Sequence, residues 1–592
     1  MENFNQYRSK VYGCFVGKCV GGTLGMKYEG NLDFNNVTYY DPVPTEMIPN
    51  DDLDLQVVNL ETVLRTGLPV CRYYLGETWK YHVADFAPDE YAVGISNNRL
   101  KLFAPLSGKY RNKFYAGMGA AIRSELWACL APASPTLAAY FAREDACTDH
   151  SSDGIYAEMF LAALESAAFT ENDLIKLIDI GLEFIPEGHK LKNAFSDTIL
   201  WWNESGNIIT VREKILKKYF CDNWTDVTIN LSFIILSLLA CEGSFDKAIC
   251  TAASLGYDAD CTCATVGSIF GIMEPDSIDE KWTAPIGDKV LLSTGIVNMH
   301  EAESINDFCD SIISLAGQVE KYYNTGISLN VPDKDKKIKI WTQNWKSIYD
   351  WQENATESLL LVKPFPVTLV YPENVASVPN KKNGYFIKIS NTTDKNISGC
   401  VSLLMPDGFT VTCPNNEFSI EPDSSCEIPF TVEFTSFKRR VPLNLLTVEI
   451  NADGIVFEVE ANIPVSMPWL REDLKTGATD IVEAESIVFN IPKGEYKYTA
   501  KFISSAARTV RGCASGDRLF TVYVNGEMIR EREDRGYVPA FHRGYDWFRA
   551  NLLRGENLIE VVFKDGAEGE FFFNFAEDTR LPIYIDSFER IL

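Results

Sequence analysis

The chain has 592 residues, of which 46% are hydrophobic and 12% aromatic, as in globular proteins, and this length suits about three domains. Its formal net charge of −27 excludes the basic footprint that nucleic-acid binding requires. The most apolar run, INLSFIILSLLACEG (229–243), is too short to span a bilayer, so we predict a core helix there and no membrane partner.

The first 22 residues, MENFNQYRSKVYGCFVGKCVGG, lack the basic and apolar regions of a signal peptide. The fifteen cysteines are scattered through periodic segments, as expected of buried free thiols in a reducing compartment. We therefore expect a cytoplasmic protein.

The first predicted element is a helix within GCFVGKCVGGTLGMKYEG (13–30). Its glycines recur every four residues and leave one side of the helix without side chains. Such a side lets another backbone approach closely, at a cost of roughly 1 kcal/mol per glycine relative to alanine. Two interpretations remain open: a packing surface, or a helix that ends at a ligand site and delivers Glu29 to it.

The second predicted helix begins in PNDDLDLQVVNLETVL (49–64), where Asn50, Asp51 and Asp52 precede an apolar pattern of helical period. Capping the helix needs only one of these residues. The remaining acids border apolar sequence, which is unusual for a solvent-exposed surface.

Further helices are predicted over 156–169, 171–185 and 304–323, where apolar residues repeat at three and four positions. His150, one of only five histidines, and Asp153 lie just before the first of these helices. A capping loop with a hydrogen-bonded histidine explains them as well as a functional site does.

A last helix is predicted in GYDADCTCATVGSIFG (256–271), which starts with Asp258 and Asp260 and continues with small and apolar residues. If these acids meet those of the second helix, four carboxylates repel one another and require cations. Carboxylate oxygens suit Mg²⁺, Mn²⁺ or Ca²⁺ rather than zinc. Roughly 200 residues separate the two motifs, and spacing by itself does not bring them together.

Beyond about residue 365 the helical period gives way to short alternating segments separated by turn residues, which predicts β-sandwiches. VYVNGEMI contains Asn525-Gly526, the usual dipeptide of a type I′ hairpin turn. We predict a multidomain protein with an all-α domain (1–345), an immunoglobulin-like sandwich with its linker (346–466) and a jelly-roll or galactose-binding-like sandwich (467–592).

The order of these motifs resembles the ADP-ribosylglycohydrolase (DraG-like or ARH) family. GGTLGMKYEG is similar to the family's G-x-x-x-G-x-x-x-E, NDDL to T-D-D-T, and GYDADC to G-x-D-x-D-T. TDHSSDGI matches a T-H segment, and MGAAIRSELWACL (118–130) a further family segment. The resemblance covers about residues 8–330.

The resemblance implies an enzyme that hydrolyses a glycosidic bond at the anomeric carbon of an ADP-ribosyl or related ribosyl substrate, with Mg²⁺ as cofactor, possibly two ions, and Mn²⁺ as a substitute. It implies Glu29 and Asp52 as catalytic carboxylates. The implied metal ligands are Asn50, Asp51, Asp52, Asp258, Asp260 and Cys261. The implied substrate-binding residues are Gly119, His150, Asp153 and Tyr257.

Three positions depart from the family pattern, since Asn50, Leu53 and Cys261 stand where the family has threonine. A thiol is a poor ligand for Mg²⁺, so the number of ions, one or two, stays open. Two alternatives to an ADP-ribosyl hydrolase also remain: a glycoside hydrolase with the same helical fold, which the attached β-modules favour, and a non-catalytic binding protein. The sequence does not reveal the oligomeric state.

Overall fold

A computed structural model gives the fold and describes residues 4–84, 90–299, 302–325, 355–435, 439–485, 488–533, 547–578, 585 and 588–591. The chain divides into two units. The first joins Met1–Ala84 to Tyr115–Glu353, and the second joins Asp85–Phe114 to Asn354–Leu592. The two β-modules are not separated from each other in this division, and the division into three domains stays a prediction.

The helices alternate with short loops through the N-terminal half of the chain. Those described are α1 (Phe4–Gly25), α2 (Asp51–Thr66), α3 (Arg72–His82), α4 (Glu90–Arg99), α5 (Leu106–Lys109), α6 (Ser124–Leu130), α7 (Pro135–Ala146), α8 (Asp153–Ala168), α9 (Leu174–Leu182), α10 (Lys190–Ser205), α11 (Ile208–Tyr219), α12 (Val227–Ala240), α13 (Phe245–Leu255), α14 (Ala259–Met273), α15 (Glu280–Thr283) and α16 (Ile305–Tyr323). Short 3₁₀ turns lie at Met26–Tyr28, Ala121–Arg123 and Pro275–Ser277. None of the helices in the described ranges is both long enough and apolar enough to cross a membrane.

The helices predicted from the sequence are confirmed, with shifts of a few residues at their ends. Helix α8 begins three residues before the predicted segment, because Asp153 already lies in its first turn. Helix α12 is the predicted core helix, and its side chains are buried from Val227 to Leu238. Ala240 ends it, well short of a membrane-spanning length.

The C-terminal half consists of β-strands. They are β1 (Glu357–Leu361), β2 (Val367–Val370), β3 (Asn383–Asn391), β4 (Ile397–Leu404), β5 (Phe409–Thr412), β6 (Glu417–Ile420), β7 (Ser424–Phe434), β8 (Arg439–Arg440), β9 (Leu443–Ala452), β10 (Ile455–Pro464), β11 (Met467–Asp473), β12 (Thr479–Ala484), β13 (Val488–Ile491), β14 (Tyr496–Ser504), β15 (Arg508–Gly516), β16 (Phe520–Val524), β17 (Glu527–Arg532), β18 (Trp547–Leu552), β19 (Gly555–Phe563), β20 (Gly569–Glu577) and β21 (Glu589–Ile591).

Two pairs of antiparallel sheets contain these strands. The first pair has the orders β1-β2-β3-β7-β5 and β10-β9-β4-β6. The second pair has the orders β12-β11-β14-β19-β16-β17, to which β21 and β8 attach, and β13-β20-β15-β18. Aromatic side chains of β14, β19 and β20 form one core between the sheets of the second pair. The prediction of β-sandwiches is confirmed, whereas the finer names, immunoglobulin-like and jelly-roll, stay predictions.

The predicted hairpin joins β16 to β17 through Asn525 and Gly526, whose φ angles are +52° and +81°. Positive φ at both central residues is what a type I′ turn requires. One segment of the helical sequence belongs to the second unit: within it, Phe103 N donates to Ser358 Oγ at 2.7 Å, and Pro105 pairs with Ser358. Helices α4 and α5 therefore support the first strand of the β-modules.

Candidate metal and active site

The glycine-stepped side of α1 packs directly on the backbone of α14. A Cβ atom built on Gly17 or Gly21 lies within 3.0 Å of the carbonyl oxygen of Gly267 or Cys263, closer than real Cβ atoms approach. Gly13 and Gly25 meet α14 in the same way. The interpretation as a packing surface is confirmed, and the packing also aligns the end of α1 with the start of α14.

The loop after α1 places Glu29 beside the start of α14. Gly30 N donates to Tyr257 O at 2.8 Å, and Tyr257 N donates to Asn31 O at 2.8 Å. This exchange holds the backbone next to Glu29 against the residue that precedes Asp258. Burial raises the pKa of the Asp258 carboxyl well above its usual range, and the negative charge of Glu29 raises it further.

Asn50 links the second acidic motif to the third. Its Oδ1 accepts a hydrogen bond from Asp52 N at 2.9 Å and caps α2, while its Nδ2 donates to Asp260 Oδ2 at 3.3 Å. The cap determines the orientation of the amide, because the opposite orientation would direct the NH₂ group at a backbone N–H. Asn50 thus joins two motifs that are 210 positions apart. Its assignment as a metal ligand stays a prediction.

Three potential metal ligands converge where α2 meets α14. One carboxylate oxygen each of Asp52 and Asp260 and the sulfur of Cys261 all lie within 4.8 Å of one another. These residues are 2%, 4% and 6% exposed. Within the described residues, Asp52 Oδ2 and Asp260 Oδ1 are buried and accept no hydrogen bond of ordinary geometry. Buried carboxylate oxygens of this kind require a proton or a cation.

The acids of the cluster shift one another's titration. Burial raises the pKa of Asp52 to about 6, even though Lys18 opposes this change. Burial raises the pKa of Asp260 well above its usual range, and the charges of Asp258, Glu29, Asp52 and Asp51 add to the effect. The acidic residues of all three motifs are therefore close enough to interact, as a shared cation site requires.

Lys18, which sequence reasoning missed, is the buried cation next to this cluster. Its Nζ lies 2.9 Å from Glu125 Oε1 and 3.4 Å from Asp52 Oδ1, and it donates to Ile122 O at 3.0 Å. Gln56 donates to the other oxygen of Glu125 at 2.8 Å. A lysine within an apolar, glycine-stepped helix was the available sequence signal, because such a residue needs an acidic partner when it is buried.

A small cavity of about 10 Å³ lies between Lys18, Asn50 and Asp52. This volume is close to that of one water molecule or ion. Thr23 and Met47 contribute to its wall.

Replacing Lys18 with methionine is expected to destabilise the first unit by about 3–5 kcal/mol, because Glu125 would be buried without a counter-charge. Urea unfolding monitored by circular dichroism measures this loss. The double variant Lys18→Met/Glu125→Gln removes both charges and is expected to recover most of the stability. Equal losses in the two variants would contradict the role of charge pairing.

His150 and Gly119 are tied together by Arg123. Gly119 O accepts from Arg123 Nη1 at 2.5 Å, and Arg123 Nη2 lies 2.8 Å from Asp149 Oδ1. His150 Nδ1 lies 2.9 Å from the same oxygen, and its Nε2 accepts from Ala120 N at 3.3 Å. The imidazole is fully buried, so the structure gives it a positioning role. The substrate-binding assignments of His150 and Gly119 stay predictions.

Asp153 and Tyr257 occupy different surroundings. Asp153 lies 3.1 Å from His189 Nε2 and pairs with Lys190, and these partners lower the pKa of its carboxyl against the effect of burial. Tyr257 is 4% exposed, and its ring meets that of Phe233 edge to face at 5.6 Å. The structure connects the Tyr257 backbone to the Glu29 loop, and the roles of both side chains toward a substrate stay predictions.

Glu158 on α8 is a further buried acid beside this network. Burial raises its pKa well above the usual range, and Asp145 and Asp149 raise it further against the effect of Arg123. Between its unfolded and folded pKa values, the folded protein holds a proton that the unfolded chain has released. Stability therefore falls as the pH rises through this interval.

Glu158→Gln is expected to remove this loss, since glutamine does not titrate. Relative to the parent protein, the variant should gain up to about 1.4 kcal/mol per pH unit above the unfolded pKa of glutamate. Thermal unfolding across a pH series measures the gain. The exposed Glu213→Gln serves as the control, and a constant difference between Glu158→Gln and the parent at all pH values would contradict the prediction.

Comparison with known proteins gives a family match for the first half of the chain. A family model described as ADP-ribosylglycohydrolase matches residues 4–320, more than half of the sequence. No curated protein sequence matches the chain significantly.

Three solved structures illustrate the similarities in fold. One, described as an ADP-ribosylglycohydrolase-related protein complex, is 17% identical and covers 53% of this chain and 98% of its own, with a TM-score of 0.36. A FixG-related protein from Vibrio parahaemolyticus is 13% identical and covers 18% of this chain and 98% of its own, with a TM-score of 0.15. The α-L-rhamnosidase of Streptomyces avermitilis is 10% identical and covers 38% of this chain and 24% of its own, with a TM-score of 0.14.

Proposed function

The chain belongs to the ADP-ribosylglycohydrolase family and is a glycosyl hydrolase of a small-molecule substrate, and on this premise we propose that it cleaves an ADP-ribosyl or related ribosyl bond with the help of a divalent cation. The observation that carries the metal dependence is the convergence of Asp52, Asp260 and Cys261 within 4.8 Å of one another. Two buried oxygens of this cluster accept no hydrogen bond from the described residues, as expected of atoms that hold a cation.

The roles of the acids follow from their surroundings. Asp52 and Asp260 are almost fully buried and suit ion binding, together with Asp51 and Asp258 as further candidate ligands. Glu29 is partly exposed and lies at the end of a loop held against Tyr257, so it is the better candidate for the general base. A divalent cation held by the cluster would orient the sugar hydroxyls and increase the acidity of the attacking water.

The Lys18–Glu125 pair supports this arrangement from below. Lys18 Nζ lies 3.4 Å from Asp52 Oδ1, which limits rotation of the carboxylate and leaves Oδ2 for the ion. All fifteen cysteines lie in the described ranges and are free thiols, as expected of the reducing cytoplasm.

A substrate panel tests the proposed function. ADP-ribosyl-arginine, ADP-ribosyl-serine, pentosides and hexosides are each incubated with the protein in the presence of divalent cations and again after exhaustive chelation. Release of ADP-ribose that depends on the cation is the expected result. Turnover that survives chelation would contradict the metal mechanism, and turnover of hexosides only would favour the alternative of a carbohydrate-active enzyme.

A further inference from the structure

The sulfur of Cys261 lies in the same cluster as the two carboxylates and changes the kind of ion that this cluster suits. Magnesium requires near-ideal octahedral coordination by oxygen. Zinc and cobalt accept thiolate, carboxylate or mixed ligands and are held by few protein side chains. We propose that Asp52, Asp260 and Cys261 bind one thiolate-accepting divalent ion of the Zn²⁺ or Co²⁺ class in preference to Mg²⁺.

The neighbouring thiol of Cys263 shows what a purely structural cysteine of the same helix does. Cys263 is fully buried, its thiol points to Ile249 O at 3.5 Å, and its carbonyl lies against Gly21. The sulfur of Cys261 lies instead among the acidic side chains of two helices. Packing explains Cys263 completely, whereas it does not explain a thiol placed beside Asp52 and Asp260.

The oxygen donors next to this sulfur are few. The Asn50 amide oxygen already accepts the cap hydrogen bond from Asp52 N, and the amide NH₂ faces Asp260. Lys18 Nζ is closer to Glu125, at 2.9 Å, than to Asp52, at 3.4 Å, and so leaves charge on the cluster uncompensated. Two buried carboxylate oxygens that accept no hydrogen bond from the described residues, together with one sulfur, form a mixed donor set for a single cation.

Binding of the ion through Cys261 exchanges a proton for a metal. The S–H bond breaks, its electron pair forms the bond from sulfur to the cation, and the proton passes to solvent. No electron is transferred, and no further reactant is needed.

Cobalt titration of the full-length protein, stripped by a chelator and without substrate, tests this proposal. One equivalent of Co²⁺ is expected to produce the intense near-ultraviolet absorption of a thiolate–cobalt bond. Zn²⁺ is expected to displace Co²⁺, and a large excess of Mg²⁺ is not. The cluster is shared with the proposed function, but the readout contains no turnover, so failure of the metal assignment and failure of the substrate assignment are distinguished.

Matched variants assign the absorption to one sulfur among fifteen cysteines. Cys261→Ser and Cys261→Thr are expected to lose the band and to bind Zn²⁺ at least about tenfold more weakly. Cys263→Ser, two residues away on the same helix, is expected to keep both the band and the affinity. Thermal unfolding of each variant verifies that it is folded.

Two outcomes would overturn the proposal. The first is a band of unchanged intensity in both Cys261 variants, which would place the cobalt on other thiols. The second is displacement of Co²⁺ by Mg²⁺ at a comparable concentration, which would identify an oxygen-ligated magnesium site completed by water.

Discussion

Asp260→Asn is expected to lower kcat/KM by about 10³-fold and, in the metal-free protein, to raise the temperature of unfolding. The activity falls because an amide cannot replace a charged ligand of a divalent cation. The stability rises because Asp260 is buried among Asp258, Glu29, Asp52 and Asp51, whose negative charges oppose its ionisation.

The sign of the stability change follows from the raised pKa of Asp260. Between the unfolded and folded pKa values, the folded chain retains a proton that the unfolded chain has lost, so ionisation favours unfolding as the pH increases. Asparagine resembles the protonated acid and can still accept the hydrogen bond from Asn50 Nδ2. The gain is therefore expected to be largest at neutral and higher pH.

Steady-state kinetics with saturating cation and differential scanning calorimetry after chelation measure the two effects. Asp276→Asn is the matched control, since Asp276 is exposed in the turn after α14 and is expected to change neither quantity. Full activity in Asp260→Asn, or a lower unfolding temperature without metal, would exclude Asp260 from a buried cation site.

Gly21→Ala is expected to destabilise the first unit by about 3 kcal/mol or more, or to prevent its folding. The added Cβ would lie within 3.0 Å of the Cys263 carbonyl and of the next backbone nitrogen. Neither atom can rotate away as the end of a flexible side chain could. Relief therefore requires α1 and α14 to separate, which would also shift Asp260 and Cys261 away from Asp52.

Denaturant unfolding and metal binding measured on the same preparation test this prediction. Gly317→Ala on α16 is the control, because a Cβ there meets nothing within 4 Å and φ is not positive. It is expected to be neutral or to stabilise by up to about 1 kcal/mol, as alanine favours a helix. Equal effects of the two substitutions would show that the contact between α1 and α14 does not matter.

The sequence by itself was sufficient for the elements and for the residue types of the site. The four-residue glycine spacing predicted a helix side made for backbone contact, and α14 occupies that side. Alternation after residue 365 predicted the antiparallel sandwiches, and Asn525-Gly526 predicted the turn between β16 and β17. These signals are local, because the period of burial and the φ requirement of a turn are properties of neighbouring residues.

Tertiary structure alone decided which residues meet. The sequence contained the acids at 51–52 and 258–260 but not their meeting point, which depends on the packing of α1 against α14 and on the Asn50 cap. It did not reveal the pairing of Lys18 with Glu125, or that 85–114 belongs with the β-strands of the second unit.

The physical reason is that a periodic pattern reports which side of an element is buried and never what covers it. Cys261 shows this limit clearly: in sequence it is a small apolar residue of a core helix, as Cys263 is in the structure. Its position within 4.8 Å of two carboxylate oxygens from different helices makes it a candidate metal ligand, and only the folded chain creates that position.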